Sequence, residues 1–205
     1  MTADRASAAS VLATLSDEPH SITIGNFDGV HRGHQYLIRS VIDDATIRGT
    51  RSLVVTFEPH PTAVLRPSMP FARLTTPELK LALITALGVD DVAVLPFTSE
   101  LATLAPEAFL HLITQTAHPA SVFVGEGFRF GRGRSGDGRT IAAYGETHGY
   151  ETRVLMRLRD GDEVISSSSI RAAIVEGCLD MANHGLGRHY RFGGVVERGE
   201  ARGRE

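Results

Sequence analysis

GNFDGVHRGH, residues 25–34, lies between the apolar run SITI at 21–24 and the segment QYLIRSVIDDATIR at 35–48. The first flank is short and β-branched, as a buried strand requires. The second spaces Leu37, Ile38, Val41, Ile42 and Ala45 as one face of a helix. The ten residues between them form a strand-to-helix turn carrying two histidines, His31 and His34. A strand handing over directly to a helix is the unit of an α/β domain.

The rest of the chain repeats that unit. Strands are expected at 52–57 (SLVVTF), 91–97 (DVAVLPF), 121–125 (SVFVG) and 152–158 (TRVLMRL). Helices are expected at 76–88, opened by an early proline and stopped by Gly88, and at 105–117, opened by Pro106. Two more are expected at 140–149 and at 167–177, the last entered through a run of serines. The alternation predicts a mainly parallel sheet with flanking helices, and no internal repeat interrupts it. Ligands of such sheets sit beyond the carboxyl ends of the strands. Four loops fall there: GNFDGVHRGH, EPHP at 58–61, GEGFRFGRGRSG at 125–136, and, after a turn at Asp160-Gly161, SSSSIR at 166–171.

Bulk composition narrows the function classes. With 205 residues, 42% hydrophobic and 22% charged, the chain can bury a full core without a disulfide or metal staple. A net charge of −3 argues against a nucleic-acid binder that relies on a strong positive field. The single cysteine, Cys178, excludes an intramolecular disulfide and a multi-cysteine metal site. No apolar run approaches a membrane span or a secretory leader, so a cytoplasmic setting is expected.

A helix beginning near Gly33 places His31 and His34 at its positive end, where anions are attracted. Gly29 and Gly33, lacking Cβ atoms, are expected to let a ligand approach the backbone. Imidazoles there suit phosphoryl or nucleotidyl transfer, which depends on positioning and charge stabilisation. Two other readings stand beside this one: one histidine capping the turn with the other solvated, or a zinc pair, for which no third ligand is evident. His60, between Pro59 and Pro61, is either held at the mouth of the sheet or a solvated turn residue. Ser167, Ser168 and Arg171 offer hydroxyls at a helix start and a guanidinium one turn later, a clamp for pyrophosphate or simply a cap. Gly131, Gly133 and Gly136 satisfy a dinucleotide fingerprint in letters, but six residues too far from the strand. An RNA-binding arginine-glycine segment is another reading of that loop. The favoured one is a mobile loop over nucleotide and ring, with Phe128 and Phe130 stacking and Arg129 or Arg132 meeting a phosphate.

Taken together, G-x-F-D-x-x-H-x-G-H on Gly25, Phe27, Asp28, His31, Gly33 and His34 resembles the signature of the H-x-G-H nucleotidyltransferase superfamily, which has a Rossmann-like fold. FEPHP at 57–61, VGEGFRFGRGRSGD at 124–137 and ISSSSIR at 165–171 resemble, in order and spacing, the bacterial FAD synthetases, bifunctional riboflavin kinase/FMN adenylyltransferases. That resemblance runs from about residue 20 to 205. It implies AMP transfer from Mg-ATP to FMN, with no nucleic-acid or membrane partner; it leaves oligomeric state and metal ligands open. It further implies that His31 and His34 stabilise the transition state, with Ser167, Ser168 and Arg171 on the leaving pyrophosphate. Gly25, Asn26, Phe27, Asp28, Gly33, His60 and Gly125 would bind ATP; Pro59, Phe128, Arg129, Phe130 and Arg132 would bind FMN.

The same resemblance divides the chain into an extension at 1–18, the adenylyltransferase at 19–186, and the opening of a riboflavin kinase module at 187–205. Kinase activity is not expected, since the rest of that barrel does not follow. YRFGGVVE at 190–197 reads as a strand without a partner, weakly anchored beyond Tyr190. One position departs from the family pattern, which carries asparagine or aspartate where this chain has Gly127. Two rivals stay open: a sister nucleotidyltransferase with another acceptor, and a non-catalytic flavin- or nucleotide-binding remnant.

Overall fold

A computed structural model describes residues 7–196. Its sheet comprises β1 (His20–Ile24), β2 (Arg51–Glu58), β3 (Asp91–Pro96), β4 (Pro119–Gly125) and β5 (Glu151–Leu155) in the order β3-β2-β1-β4-β5. Every pairing is parallel, for example Ile22 with Leu53 on one side and Val122 on the other. The order reverses between β1 and β4, so their carboxyl ends open a crevice at the switch point of a Rossmann-like α/β fold.

The inner strands β1, β2 and β4 are buried on both faces because helices cover both. Ile22, Ile24, Leu53, Val55, Val122 and Val124 point to one side, where Leu110 and Ile113 of α6 (Pro106–Ala117) and Ile141 of α7 (Gly138–His148) complete the core. The alternate residues Val54 and Phe123 point to the other, against Leu37, Ile38 and Val41 of α2 (Arg32–Arg48) and Ile84 of α4 (Pro77–Thr85). A smaller third cluster joins α8 (Ser167–Val175) and α9 (Leu179–Leu186) to Leu74. At the opposite end of the sheet from the crevice, Ser21 of β1 and Ser121 of β4 both donate to buried Asp44, at 2.8 and 2.6 Å. Burial alone would raise the Asp44 carboxyl; these bonds and that from Arg48 outweigh it and hold it below its ordinary range.

All five strands of the sheet and five of the six longer helices fall where sequence placed them, with shifted ends; the sixth, α9, was not expected. The helix expected from 35 starts at Arg32, and the fifth strand stops at Leu155, three residues short. The turn at Asp160-Gly161 belongs to a two-residue hairpin joining β6 (Arg159–Asp160) and β7 (Glu163–Val164). Helices α1 (Ala8–Leu12), α3 (Pro61–Leu65) and α5 (Ser99–Thr103) are five residues each, and periodicity did not reveal them. Within the segment read as an extension, α1 buries Leu12 completely in the main core. Residues 190–196 hold no strand, and the expectation for 197–205 lies outside the described residues. Among the described residues, no helix is long and apolar enough to cross a membrane.

Candidate active site

The turn after β1 is held by its own strained backbone and by neighbours. Phe27, Gly29 and Val30 all have positive φ (51°, 85° and 39°), and Val30 donates back to the Phe27 carbonyl at 3.0 Å. Gly29 serves packing rather than ligand approach: a Cβ there would stand 2.7 Å from the Leu74 side chain. Gly33 likewise makes room within the protein, since a Cβ would press on the His31 ring at 3.2 Å. Asp28 is almost fully buried. Its carboxylate accepts from the Leu74 and Thr75 amides, the Thr75 hydroxyl and the Arg171 guanidinium. Its carbonyl accepts from the Ser167 hydroxyl at 2.8 Å. Asp28 thus ties the first loop to the start of α8.

His31 is the N-cap of α2, its Nδ1 accepting the His34 amide at 3.3 Å. The two imidazoles stack with centroids 3.6 Å apart, and Phe27 meets His34 edge-on at 5.1 Å. Burial pushes the His31 pKa down to about 4; Asp28 opposes this, and Arg171 and Arg188 add to it. His34 is carried well below its ordinary value by burial and then by His31. Both rings are neutral at physiological pH. With Nδ1 of His31 accepting, its proton sits on Nε2, which makes it a hydrogen-bond donor. Nδ1 of His34 is buried without a partner.

The second loop repeats the device. His60 caps α3 through Nδ1, accepting the Thr62 amide at 3.2 Å, and stacks on Phe71 at 4.4 Å. Burial also takes its pKa down to about 4, Asp28 opposing and Arg171, Arg73 and Lys80 assisting. Phe71 carries the Arg171 guanidinium on its ring at 4.6 Å, while Arg171 Nε donates to the Ala72 carbonyl at 2.8 Å. Beneath the two loops lies Lys80, 1% exposed, donating to the Phe57 carbonyl at 2.9 Å and paired with Glu58 at 2.6 Å. Arg73 completes that pair with two bonds to Glu58.

The glycine-rich loop after β4 is pinned rather than free. Phe130 pairs with Gly136 across an antiparallel bridge, the Arg132 amide donates to Leu104 at 2.7 Å, and Arg129 pairs with Asp137 at 3.1 Å. Its glycines allow close packing: a Cβ at Gly131 or Gly136 would meet Pro106 at 2.9 or 2.8 Å. Phe128 and Phe130 stack on each other, and Phe130 is buried against Phe109. At Gly127, with φ of +79°, a Cβ would run into the tip of the exposed Arg157 side chain.

These loops enclose one cavity of about 700 Å³. At its polar end stand Gly25, Asn26, Asp28, His34, His60, Gly125, Ser167 and Arg171. Another part of its wall is aromatic and aliphatic, from Phe57, Phe97, Leu101, Phe109, Phe128 and Phe130. Phe27 and Arg129 also line it. Of the other expected site residues, His31 and Gly33 stand behind His34, and Pro59 and Arg132 are off the wall. Ser168 is exposed and turned away from the cavity lining. Sequence reasoning missed Arg134 and Phe71, which do line it, and the supporting Lys80 and Arg73. A lysine inside the apolar run PELKLALIT was the available signal for Lys80.

The neutral histidines set a pH dependence of stability. An unfolded histidine takes up a proton near pH 6.5, whereas His31 and His60 resist it until about pH 4. Their contribution is full above pH 6.5 and is lost as the pH falls toward 4, on the order of 3 kcal/mol each at most. Urea unfolding at pH 7.5 and 5.0 should show a clearly lower midpoint at pH 5.0, above the range where carboxylates titrate. Equal midpoints would mean that these rings are solvated.

The fold and site have known counterparts. A family model described as FAD synthetase matches residues 13–169. A curated protein of Listeria monocytogenes, named bifunctional riboflavin kinase/FMN adenylyltransferase, is 35% identical over 184 residues, covering 89% of this chain and 58% of its own. Proteins of the same name from Escherichia coli K12 and Bacillus subtilis are 33% and 34% identical, covering 93% and 89% of this chain. The chain spans about 60% of the length of these relatives. A crystal structure titled as a macrolide-efflux protein from Streptococcus pneumoniae superposes with a TM-score of 0.79 at 24% identity, over 89% of this chain and 60% of that one; this likeness concerns the fold alone. With a family model spanning the first three site loops and the start of α8, the chain belongs to the FAD synthetase family.

Proposed function

We propose that this chain transfers AMP from ATP to FMN, giving FAD and pyrophosphate. The observation that carries the reading is one cavity whose polar end gathers His34, Ser167 and Arg171 and whose other end is aromatic. FMN needs both ends: a flat apolar ring system and a phosphate that must reach a nucleotide. The relatives' names include FMN adenylyltransferase, and the matching portion of this chain carries that cavity.

In this reading an oxygen of the FMN phosphate attacks the α-phosphorus of ATP in line. The new O–P bond forms as the bond to the bridging oxygen breaks, and pyrophosphate carries the electron pair away. Neutral His31 and His34 donate hydrogen bonds to phosphate oxygens as charge builds, in a site already organised for it. Arg171 and the positive end of α8, with Ser167, hold the leaving group. The exposed Ser168 contributes its backbone amide rather than its hydroxyl. Mg²⁺ enters as the Mg-ATP complex. The chain's own buried carboxylate, Asp28, is committed to Arg171 and would not hold the ion, which would come bound to the ATP phosphates and shield their charge.

Incubating the chain with FMN and Mg-ATP should yield FAD by chromatography and an equal amount of pyrophosphate by a coupled assay. Flavin binding without pyrophosphate release would support the non-catalytic rival. Turnover with another phosphorylated acceptor but not FMN would support the sister enzyme.

A further inference from the structure

Arg188 lies beyond the residues matched by the family model, in the segment that sequence reading assigned to a following module. Its guanidinium nevertheless reaches back to the first loop, donating to the Gly29 carbonyl at 2.6 Å and the Val30 carbonyl at 3.3 Å. The same group donates to Leu186 at the end of α9 at 3.2 Å. Gln35, on the first turn of α2, donates to the same two carbonyls, Val30 and Leu186, each at 2.9 Å. The carbonyls of Val30 and Leu186 are therefore each held twice, by one planar amide and one planar guanidinium.

What they hold is a backbone that resists its own shape. Val30 is β-branched, 1% exposed and has φ of +39°, a costly conformation that persists only where the surroundings over-determine it. The next residue is His31, whose cap on α2 fixes where both imidazoles stand. We infer that Arg188, with Gln35, is a positioning residue for adenylyl transfer, clamping the strained Gly29–Val30 turn so that His31 and His34 are presented to the reacting phosphates. The clamp makes the catalytic loop depend on a residue after α9. This rests on the adenylyltransferase reading only for its kinetic consequence; the clamp itself is read independently.

The test uses the full chain with Arg188→Met, Arg188→Lys and Gln35→Met. Displacing catalytic groups by about an ångström costs on the order of 100-fold in rate. Arg188→Met should therefore lower kcat for FAD formation by roughly 10- to 100-fold, with flavin Kd within about twofold of the parent. Arg188→Lys, which keeps one donor and the charge, should recover part of the loss. The Arg188 and Gln35 effects should be non-additive, because the two side chains share their acceptors. Loss of kcat and flavin affinity in proportion, with no recovery by lysine, would reduce Arg188 to a fold-stabilising role; unchanged kcat would also overturn the proposal. Amide hydrogen exchange at residues 29–35 separates the two ideas. Faster exchange in Arg188→Met supports the clamp even if the parent makes no FAD, which would sink the reaction instead; unchanged exchange removes the clamp whatever the reaction.

Discussion

Replacing His31 and His34 together with alanine is expected to reduce FAD formation by at least about 10³-fold while leaving flavin binding largely intact. Removing one preorganised donor from a developing oxyanion costs on the order of 10²–10³ in turnover. Here two stacked, neutral imidazoles sit 3.6 Å apart at a helix start, and their effects will not multiply, because each orients the other. Alanine at 31 also removes the cap of α2, worth roughly 1 kcal/mol, so lost stability must be separated from lost chemistry. His31→Asn does this. Asparagine is a good N-cap and replaces the acceptor for the His34 amide, but it has no Nε2–H. It should therefore unfold with the parent and turn over as slowly as His31→Ala. An asparagine variant with parental turnover would show that His31 is a cap and nothing more.

This dual service explains why the motif could be read two ways from sequence. The reading of one histidine as a cap and the reading of both as phosphate donors are compatible, because capping uses Nδ1 and leaves the proton on Nε2. Local signals sufficed where a feature is local: a β-branched run, an apolar helical face, a serine cap. They failed where the partner is distant. Gly29 and Gly33 look like openings for a ligand until Leu74 and the His31 ring are seen in those spaces. The glycines of the arginine-rich loop look like flexibility, yet two of them let the loop lie against Pro106. Helices of five residues, such as α1 and α3, are too short to show a period, and Arg188 carries no pattern at all. Asp28 was placed among the nucleotide-binding residues from its motif, while its bonds run to residues 46 to 143 positions away.

Those bonds make Asp28→Ala the substitution with the largest expected effect on stability. The carboxylate is 2% exposed and accepts from two backbone amides, one hydroxyl and the Arg171 guanidinium. Truncation leaves the Leu74 and Thr75 amides without acceptors in a buried place and strips Arg171 of its counter-charge. Breaking a buried ion pair from one side costs about 3–5 kcal/mol. Arg171 keeps about a fifth of its side-chain surface in solvent and retains the Ala72 carbonyl and the Phe71 ring, so the lower end of that range is expected. The urea midpoint should fall accordingly. Activity should fall further than stability alone requires, since the freed guanidinium no longer meets the pyrophosphate end of ATP in a fixed pose. Asp28→Asn sharpens the comparison: it keeps one acceptor for the two amides but removes the charge facing Arg171. Its expected signature is a smaller loss of stability together with a raised KM for ATP and an unchanged Kd for FMN. An alanine variant that unfolds with the parent would mean that the loop and α8 are held together elsewhere. An asparagine variant impaired equally toward both substrates would mean that Arg171 does not act at the nucleotide end.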